Sequence, residues 1–207
     1  MKASTSLTVL MSLALGACQA EAPGERVAAT VAAVSEPVAS PAPGSSPGAD
    51  APHSTMADDV GPATLLGYGE MRLGSSAAEM KQAWGGGLDG SATEPQGCHY
   101  LTPKWAANSS ELGFMVEGDR FVRYDVGTPK ETAPGGGKVG MNEQALEALY
   151  GSMEAQPHKY VGGGRYLSRS ASGTTPTRLV FETDATGLVT SWRVGMPPQV
   201  DYVEGCS

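Results

Sequence analysis

The sequence predicts an α+β fold in which two tandem copies of a short helix followed by antiparallel strands form one compact domain. Three observations predict it. The second copy repeats the residue classes of the first, each copy holds one amphipathic segment that ends at a glycine, and each copy continues with alternating strand segments. The copies are predicted at residues 61–133 and 134–207, after a signal peptide at 1–17 and a tether at 18–60.

The repeat becomes visible when each residue is compared with the one 66 positions later. Without a gap, the matched pairs keep their apolar, aromatic or glycine character: Leu73 with Val139, Gly74 with Gly140, Met80 with Leu146, Trp84 with Tyr150, Gly85 with Gly151 and Tyr100 with Tyr166. A shift of 68 positions then matches Tyr124 with Trp192. Because duplication preserves packing positions most readily, the aromatic pairs are predicted in the core, and a role on a binding surface stays open for them.

Two short helices are predicted from capping residues and apolar spacing. Ser76 and Asn142 are N-cap residues, and Glu79 stands three positions after Ser76, which completes a capping box. Gly85 and Gly151 follow the last apolar residue of each segment, where a left-handed residue ends a helix. Each helix is expected to pack its apolar side on one face of a curved antiparallel sheet.

Strands are predicted where polar and apolar residues alternate. The clearest case is a hairpin of Leu112–Glu117 and Arg120–Val126, in which Phe121, Arg123 and Asp125 are expected on one face. Four further segments have strand character: Cys98–Leu101, Arg165–Ser168, Thr177–Thr183 and Leu188–Val194.

This pattern resembles the tandem helix–sheet architecture of the β-lactamase inhibitory proteins and of the small lipoproteins of the outer-membrane assembly machinery. The resemblance covers most of residues 69–195 and rests on Leu73-Gly74, Val139-Gly140 and the helix endings at Gly85 and Gly151. It implies a non-enzymatic binding role, and it transfers no individual contact residue to this chain.

The N-terminus resembles the signal sequence and lipobox of bacterial lipoproteins. Lys2 precedes the apolar run Leu7–Leu15, and Gly16 and Ala17 place small residues directly before Cys18. The resemblance implies cleavage after residue 17, lipidation of Cys18 and anchoring in a membrane. Residue 19 is Gln, where Asp would favour the inner membrane, so the resemblance implies the outer membrane. The alternative is an ordinary secretory signal with an incidental cysteine.

A tether is predicted between the lipid and the folded domain. From Gln19 to Val60, 25 of 42 residues are Ala, Pro, Ser or Gly, and none is aromatic. Such a segment has too little apolar surface to offset the entropy of ordering it. It carries one Arg against six acidic residues and so supplies most of the formal charge of −8.

The remaining two cysteines predict a disulfide. With Cys18 lipidated, Cys98 and Cys206 form an even pair in an exported protein. Their bond would close a loop of more than 100 residues, which in the chain-entropy model is worth about 4–5 kcal/mol. Two free thiols, a redox site or a metal site are the alternatives, although neither a CxxC spacing nor a histidine cluster favours them.

Composition and motifs exclude several classes of function. The acidic balance argues against nucleic-acid binding, and the absence of a long apolar run after the N-terminus argues against a multi-pass membrane protein. Gly135–Lys138 lacks the residues of a phosphate loop, and neither His99 nor His158 stands in a triad or metal motif. No catalytic residue, metal site or cofactor is therefore predicted.

Aromatic and basic residues are the candidates for ligand binding. Trp105 lies in a polar stretch and Tyr202 near the end of the chain, so both are predicted on the surface, where aromatic residues are enriched at interfaces. Trp192, Arg123 and Arg165 are further candidates on predicted strands. One sheet face is expected to carry four arginines: Arg120, Arg123, Arg165 and Arg169.

The predicted function is a lipid-anchored, non-enzymatic binding or scaffold module that contacts another envelope protein. The alternatives are a lectin-like lipoprotein, with sugars stacking on Trp105 or Trp192, and an inhibitor of a periplasmic or host hydrolase. The predicted partners are the membrane, through the lipid on Cys18, and an envelope protein or glycan, but not nucleic acid. Exposure to the periplasm and exposure on the cell surface both stay open.

Overall fold

The computed structural model of the protein describes residues 61–207. The predicted signal peptide, the lipobox with Cys18 and the tether to residue 60 lie outside the described residues, so their predictions stay predictions. Within residues 61–207, no helix is long and apolar enough to cross a membrane.

The described chain folds into two antiparallel sheets and two short helices. The small sheet has the order β1-β2-β3, and the large sheet has the order β4-β5-β6-β7-β11-β10-β9-β8. The elements are β1 (Ala63–Thr64), β2 (Gly67–Tyr68), β3 (Met71–Arg72), α1 (Ala77–Trp84), β4 (Leu88–Asp89), β5 (His99–Pro103), β6 (Leu112–Glu117), β7 (Arg120–Val126), α2 (Glu143–Tyr150), β8 (Glu154–Pro157), β9 (Arg165–Ser170), β10 (Arg178–Thr183), β11 (Val189–Gly195) and a 3-10 helix (Gln199–Asp201).

The prediction of an α+β fold built from two tandem helix-then-strand copies is wrong. The protein is mostly β, with sheets of three and eight antiparallel strands, and its two α-helices have only eight residues each. Five strands were not predicted, namely β1 to β4 and β8, because segments of two to four residues are too short to show an alternating pattern. The strands β5, β6, β7, β9, β10 and β11 agree with the predicted segments to within two residues at each end.

The capping residues determine where both helices begin and end. The Glu79 amide donates to Ser76 Oγ at 3.2 Å and the Ser76 amide donates to the Glu79 carboxylate at 2.8 Å, which confirms the capping box. The hydrogen bond from the Ser76 amide lowers the pKa of Glu79 below its ordinary value. Asn142 caps α2, and Gly85 ends α1 in the left-handed conformation, with a φ of 69°.

The main core lies between the large sheet and the layer formed by the two helices and the small sheet. We call the side of the large sheet toward this layer the first face. Its buried side chains meet Met80 of α1, Leu146 of α2 and Tyr68 of the small sheet. The ring of Tyr124 packs edge-on against Trp192, with 5.9 Å between centroids, and its hydroxyl donates to the Thr64 oxygen at 2.7 Å. The predicted core placement of this aromatic pair is confirmed.

A β-bulge in the central hairpin separates residues that were predicted to share a face. Val116 pairs with Phe121, but the neighbouring Met115 pairs with Arg123, so Val122 is an extra residue in β7. Phe121 therefore points into the core, whereas Arg123 and Asp125 lie on the opposite side, which we call the second face. The expected alignment of Phe121 with Arg123 and Asp125 is wrong because the bulge interrupts the alternation.

The end of the chain crosses the second face. We call residues 196–207 the strap. Its 3-10 helix contacts β7 and β11, and Val200 is fully buried in a small cluster with Tyr166 and Val180. The central part of the second face is consequently covered by the chain itself rather than open.

Candidate functional site

Two buried arginines of the central strands organise the second face beneath the strap. Arg123 on β7 and Arg193 on β11 each expose only 4% of their surface. With three neighbouring polar residues they form what we call the charged cluster: Tyr100, Arg123, Asp125, Glu182 and Arg193. Buried charges require partners, so the contacts of these five side chains define the chemistry of the site.

Arg123 is paired with a carboxylate and with the strap at the same time. Its Nε lies 2.9 Å from both carboxylate oxygens of Asp125, and its Nη1 donates to the main-chain oxygens of Gln199 at 3.0 Å and Tyr202 at 2.6 Å. Burial opposes the charge on Arg123, but the charge and hydrogen bond of Asp125, together with the smaller effects of Tyr100 and Glu182, raise the pKa of the guanidinium. Arg123, predicted as a ligand-binding residue, is therefore bound to its own chain.

Arg193 repeats this arrangement with different partners. Its Nε donates to the main-chain oxygen of Val200 at 2.6 Å, and its Nη1 is bonded to Glu182. Sequence patterns did not single out Arg193, and they favoured a solvated strand edge for Glu182, which is instead mostly buried beside Arg193. Successive side chains of β11 lie on opposite faces of the sheet, and this alternation could have indicated Arg193. Arg193 directly follows the core residue Trp192 and so lies on the other face.

Tyr100 and Asp125 complete the cluster on the side of β5. The Tyr100 hydroxyl donates to Asp125 Oδ2 at 3.0 Å. Burial and, to a smaller degree, the charge of Asp125 raise the pKa of Tyr100 above its ordinary value. The phenol is thus a neutral hydrogen-bond donor, and Asp125 accepts hydrogen bonds from Arg123 and Tyr100 together.

Two cavities flank the strap. One, of about 300 Å³, is lined by the charged cluster, by Ser109, Ser110 and Ser191, and by the strap residues Val203 to Gly205. The other, of about 850 Å³, opens between the strap and residues 93–98. Its carboxylates are Glu94, Glu117, Asp201 and Glu204, opposed by the single cation Lys159, so this second cavity is acidic.

The predicted disulfide is confirmed. Cys98, directly before β5, is bonded to Cys206 of the strap across 108 positions. Tyr202, predicted as a surface ligand-binding residue, is half-buried in the strap and holds Arg123 through its main-chain oxygen rather than through its ring.

The other predicted ligand-binding residues do not gather at one place. Trp192 is only 1% exposed, so its ring is not available to stack on a sugar. Arg165 is exposed but forms an ion pair with Glu143 of α2 at 3.3 Å. Arg120 donates to the Gly74 oxygen and Arg169 to the Tyr150 oxygen. The expected face with four arginines is wrong, since the partners of Arg120, Arg165 and Arg169 lie with the helices and that of Arg123 in the strap.

Trp105 is the predicted candidate that the structure places on the surface. It is 56% exposed in the loop 104–111 between β5 and β6. The loop is braced by its own hydrogen bonds, from the Ala106 amide to the Pro103 oxygen and from the Ala107 amide to Glu111. The indole is therefore presented by an ordered turn.

A second exposed aromatic, Tyr160, was not predicted. It is 61% exposed in the loop 158–164 between β8 and β9. His158 organises this loop, because its Nδ1 accepts the amides of Tyr160 at 3.1 Å and Val161 at 3.2 Å. Its Nε2 then carries the proton and lies 3.4 Å from Glu182, which links the loop to the charged cluster.

Trp105 and Tyr160 lie at the same end of the large sheet. The strand pairing places four strand ends together at one end of the large sheet: the start of β6, the end of β7, the start of β11 and the end of β8. The two loops are five strand positions apart in the sheet order, which corresponds to about 24 Å along the sheet. We call this end, with loops 104–111 and 158–164, the aromatic end.

The charged cluster contains two ion pairs, each between a buried arginine and a carboxylate. Asp125 is paired with Arg123 and Glu182 with Arg193, so each buried guanidinium has a carboxylate partner. Among residues 61–207, no three His, Cys, Asp or Glu side chains are close enough together to hold a metal ion.

Comparison of the chain with protein-family models, with curated proteins and with solved structures finds no match. The function is therefore inferred from the sequence and from the site itself.

Proposed function

We propose that this protein is a lipid-anchored, non-enzymatic module of the bacterial outer membrane that binds another envelope protein through the aromatic end. The observation that carries the proposal is the pair of exposed rings, Trp105 and Tyr160, at one end of the sheet. The lipobox pattern ending at Cys18 supports the anchor, and Gln19 supports the outer membrane.

The size and composition of the aromatic end fit a protein partner. Tyr and Trp are enriched among the residues that dominate binding energy at interfaces. The two loops lie about 24 Å apart along the sheet. Both therefore fit within a patch of about 800 Å² on each partner, which is the standard size of a specific interface. Both rings stand on loops braced by internal hydrogen bonds, so little ordering entropy is lost when they are buried.

The charged cluster supports binding rather than catalysis. A general base requires a carboxylate or imidazole with a free lone pair directed at substrate. The Asp125 and Glu182 carboxylates are held by arginines, and the His158 Nδ1 accepts two main-chain amides. These groups are used to hold the strap and the loop 158–164.

Glycan binding is a second candidate, favoured by the exposed indole of Trp105 in a polar loop. An exposed indole face is the group on which a sugar ring stacks. Because the ring of Trp192 is buried, Trp192 is not proposed as a glycan-binding residue.

Titration of the tryptophan fluorescence separates the two functions. Peptidoglycan and lipopolysaccharide fragments should leave the emission of the full chain unchanged if the partner is a protein. Envelope cross-linking followed by pull-down should then recover one dominant protein, with recovery reduced by Trp105→Ala and by Tyr160→Ala. Leu66→Ala is the matched control, since Leu66 is 51% exposed but lies in the turn between β1 and β2. A saturable fluorescence change with glycan, abolished by Trp105→Phe, would instead establish the lectin function.

A further inference from the structure

The strap has two parts that are held in different ways. Residues 196–201 belong to the packed structure of the second face. The Met196 amide donates to the Val122 oxygen at 2.9 Å, Val200 is fully buried, and its oxygen accepts from Arg193 at 2.6 Å. This first part is secured by apolar burial as well as by hydrogen bonds.

Residues 202–207 have mainly polar, half-exposed contacts, and Val203 alone adds an apolar contact with the cluster of Tyr166, Val180 and Val200. Glu204 forms an ion pair with Lys159 at 2.8 Å and accepts from the Tyr160 hydroxyl, and both side chains of the ion pair are about half exposed. Exposed ion pairs of this kind contribute little to stability. The stronger ties are the bond from Arg123 to the Tyr202 oxygen and the covalent bond of Cys206 to Cys98.

This second part forms the roof of the cavity above the charged cluster. Val203, Glu204 and Gly205 line that cavity together with Tyr100. Gly205 has a φ of 64°, and a Cβ at this position would lie 2.9 Å from the Tyr100 hydroxyl oxygen. The backbone of the strap therefore lies directly against Tyr100, and removing it would open the cavity to solvent.

The disulfide that holds this roof is accessible. Cys98 and Cys206 are half-buried and both line the open acidic cavity of about 850 Å³ on the other side of the strap. The cavity therefore offers a thiol a route to these two residues that does not pass through the core.

We propose that residues 202–207 are a removable cover over the charged cluster, and that thiol–disulfide exchange at Cys98–Cys206 opens it. The co-reactant is a reduced dithiol. One thiolate attacks a sulfur of the disulfide and forms a mixed disulfide, and the other cysteine leaves as a thiolate. The second thiol of the reductant then displaces the remaining cysteine. Two electrons and two protons pass to the protein, and the dithiol leaves as a disulfide.

Opening changes the chemistry of the second face. Arg123 keeps Asp125 but loses the Tyr202 oxygen, so an N–H of its guanidinium becomes available to another acceptor. The first part of the strap stays in place because Val200 and Arg193 do not depend on the disulfide. The inference does not rest on the proposed function, since neither the lipid nor a partner protein takes part, although Tyr160 of the aromatic end contacts Glu204 of the strap.

Amide hydrogen exchange of the full chain tests the cover. In the oxidised protein, the amides of Tyr202 and Gly205 are hydrogen-bonded to the oxygens of Gln199 and Tyr202. After reduction with a dithiol and alkylation, these two amides should lose their protection, whereas those of Met196 and Val200 should keep it. The tryptophan bands of the near-ultraviolet circular dichroism spectrum should stay unchanged, because Trp192 remains packed against Tyr124.

The double variant Cys98→Ala/Cys206→Ala makes the test independent of alkylation. It should show the exposed amides without reductant and respond no further to the dithiol. Unchanged protection at Tyr202 and Gly205 in both preparations would overturn the proposal, because non-covalent contacts alone would then hold residues 202–207. Simultaneous loss of protection at Val200 and in β7 would also overturn it, because the disulfide would then support the whole face.

Discussion

The Nη1 of Arg123 donates a hydrogen bond of 2.6 Å to the main-chain oxygen of Tyr202, across 79 positions of the chain. This bond joins a central strand of the large sheet to the strap. The same guanidinium is paired with Asp125, so one buried side chain connects the strap, the sheet and the charged cluster.

Replacing Arg123 alone should strongly destabilise the domain. In Arg123→Met, the Asp125 carboxylate stays half-buried with Tyr100 as its remaining partner, and breaking a buried pair in this way lowers the free energy of unfolding by about 3–5 kcal/mol. The double variant Arg123→Met/Asp125→Leu removes both charges and should lose less stability than the single variant. Urea denaturation measures both. An equal or larger loss in the double variant would contradict the account.

Alkaline pH should destabilise the domain through Tyr150. Its hydroxyl donates to the Pro134 oxygen and accepts the Gly137 amide, both at 2.7 Å, and burial raises its pKa to about 12. Because the folded pKa lies above the ordinary value of 10.0, this stability is present below pH 10 and is lost as pH rises toward 12.

The shift corresponds to about 3 kcal/mol in the free energy of unfolding, measured by urea denaturation across this pH range. Tyr150→Phe is the control. It should be less stable at neutral pH, because the Gly137 amide loses its acceptor, and should lose less further stability above pH 10. The same alkaline loss in the variant would assign the effect to other groups.

Acrylamide quenching should report Trp105 selectively. The chain has three tryptophans: Trp105 is 56% exposed, Trp192 is 1% exposed, and Trp84 packs against the core. Trp105→Phe should therefore remove most of the quenchable fluorescence, whereas Trp84→Phe should retain it. Strong residual quenching in the double variant Trp84→Phe/Trp105→Phe, in which Trp192 alone remains, would contradict the burial of Trp192.

The sequence predicted those helices and strands that are determined by residues close to one another in the chain. The hairpin around Gly118 and Asp119 and the capping box of Ser76 and Glu79 depend on residues within a few positions of one another. The bulge at Val122 could not be predicted, because it depends on the register with β6. Short strands were missed for a similar reason, and the fold class was wrong as a consequence.

The candidate site was harder to predict than the elements. The strap is bound through main-chain oxygens of Gln199, Val200 and Tyr202, which every sequence provides. Arginine is usually found on the surface, and Arg123 is buried because the strap crosses it. The disulfide was predictable, since two cysteines remain once Cys18 is assigned to the predicted lipid, and such a pair after a predicted export signal is independent of the fold.

Lipidation should depend on Cys18 alone. In bacteria fed a radioactive fatty acid, the full chain should be labelled and should sediment with membranes. Cys18→Ser should abolish both properties, because the resemblance assigns the lipid to this thiol. Cys98→Ser is the control and should keep the label. An unlabelled wild-type chain would support the ordinary secretory signal instead.

The most direct test of the proposed function is site-specific photo-cross-linking in intact envelopes. A photoreactive residue in place of Trp105 should yield one dominant protein adduct. The same residue in place of Leu66, which is similarly exposed in the turn between β1 and β2, should yield none or far less. Equal adducts at the two positions, or the absence of a protein adduct at position 105, would contradict the account.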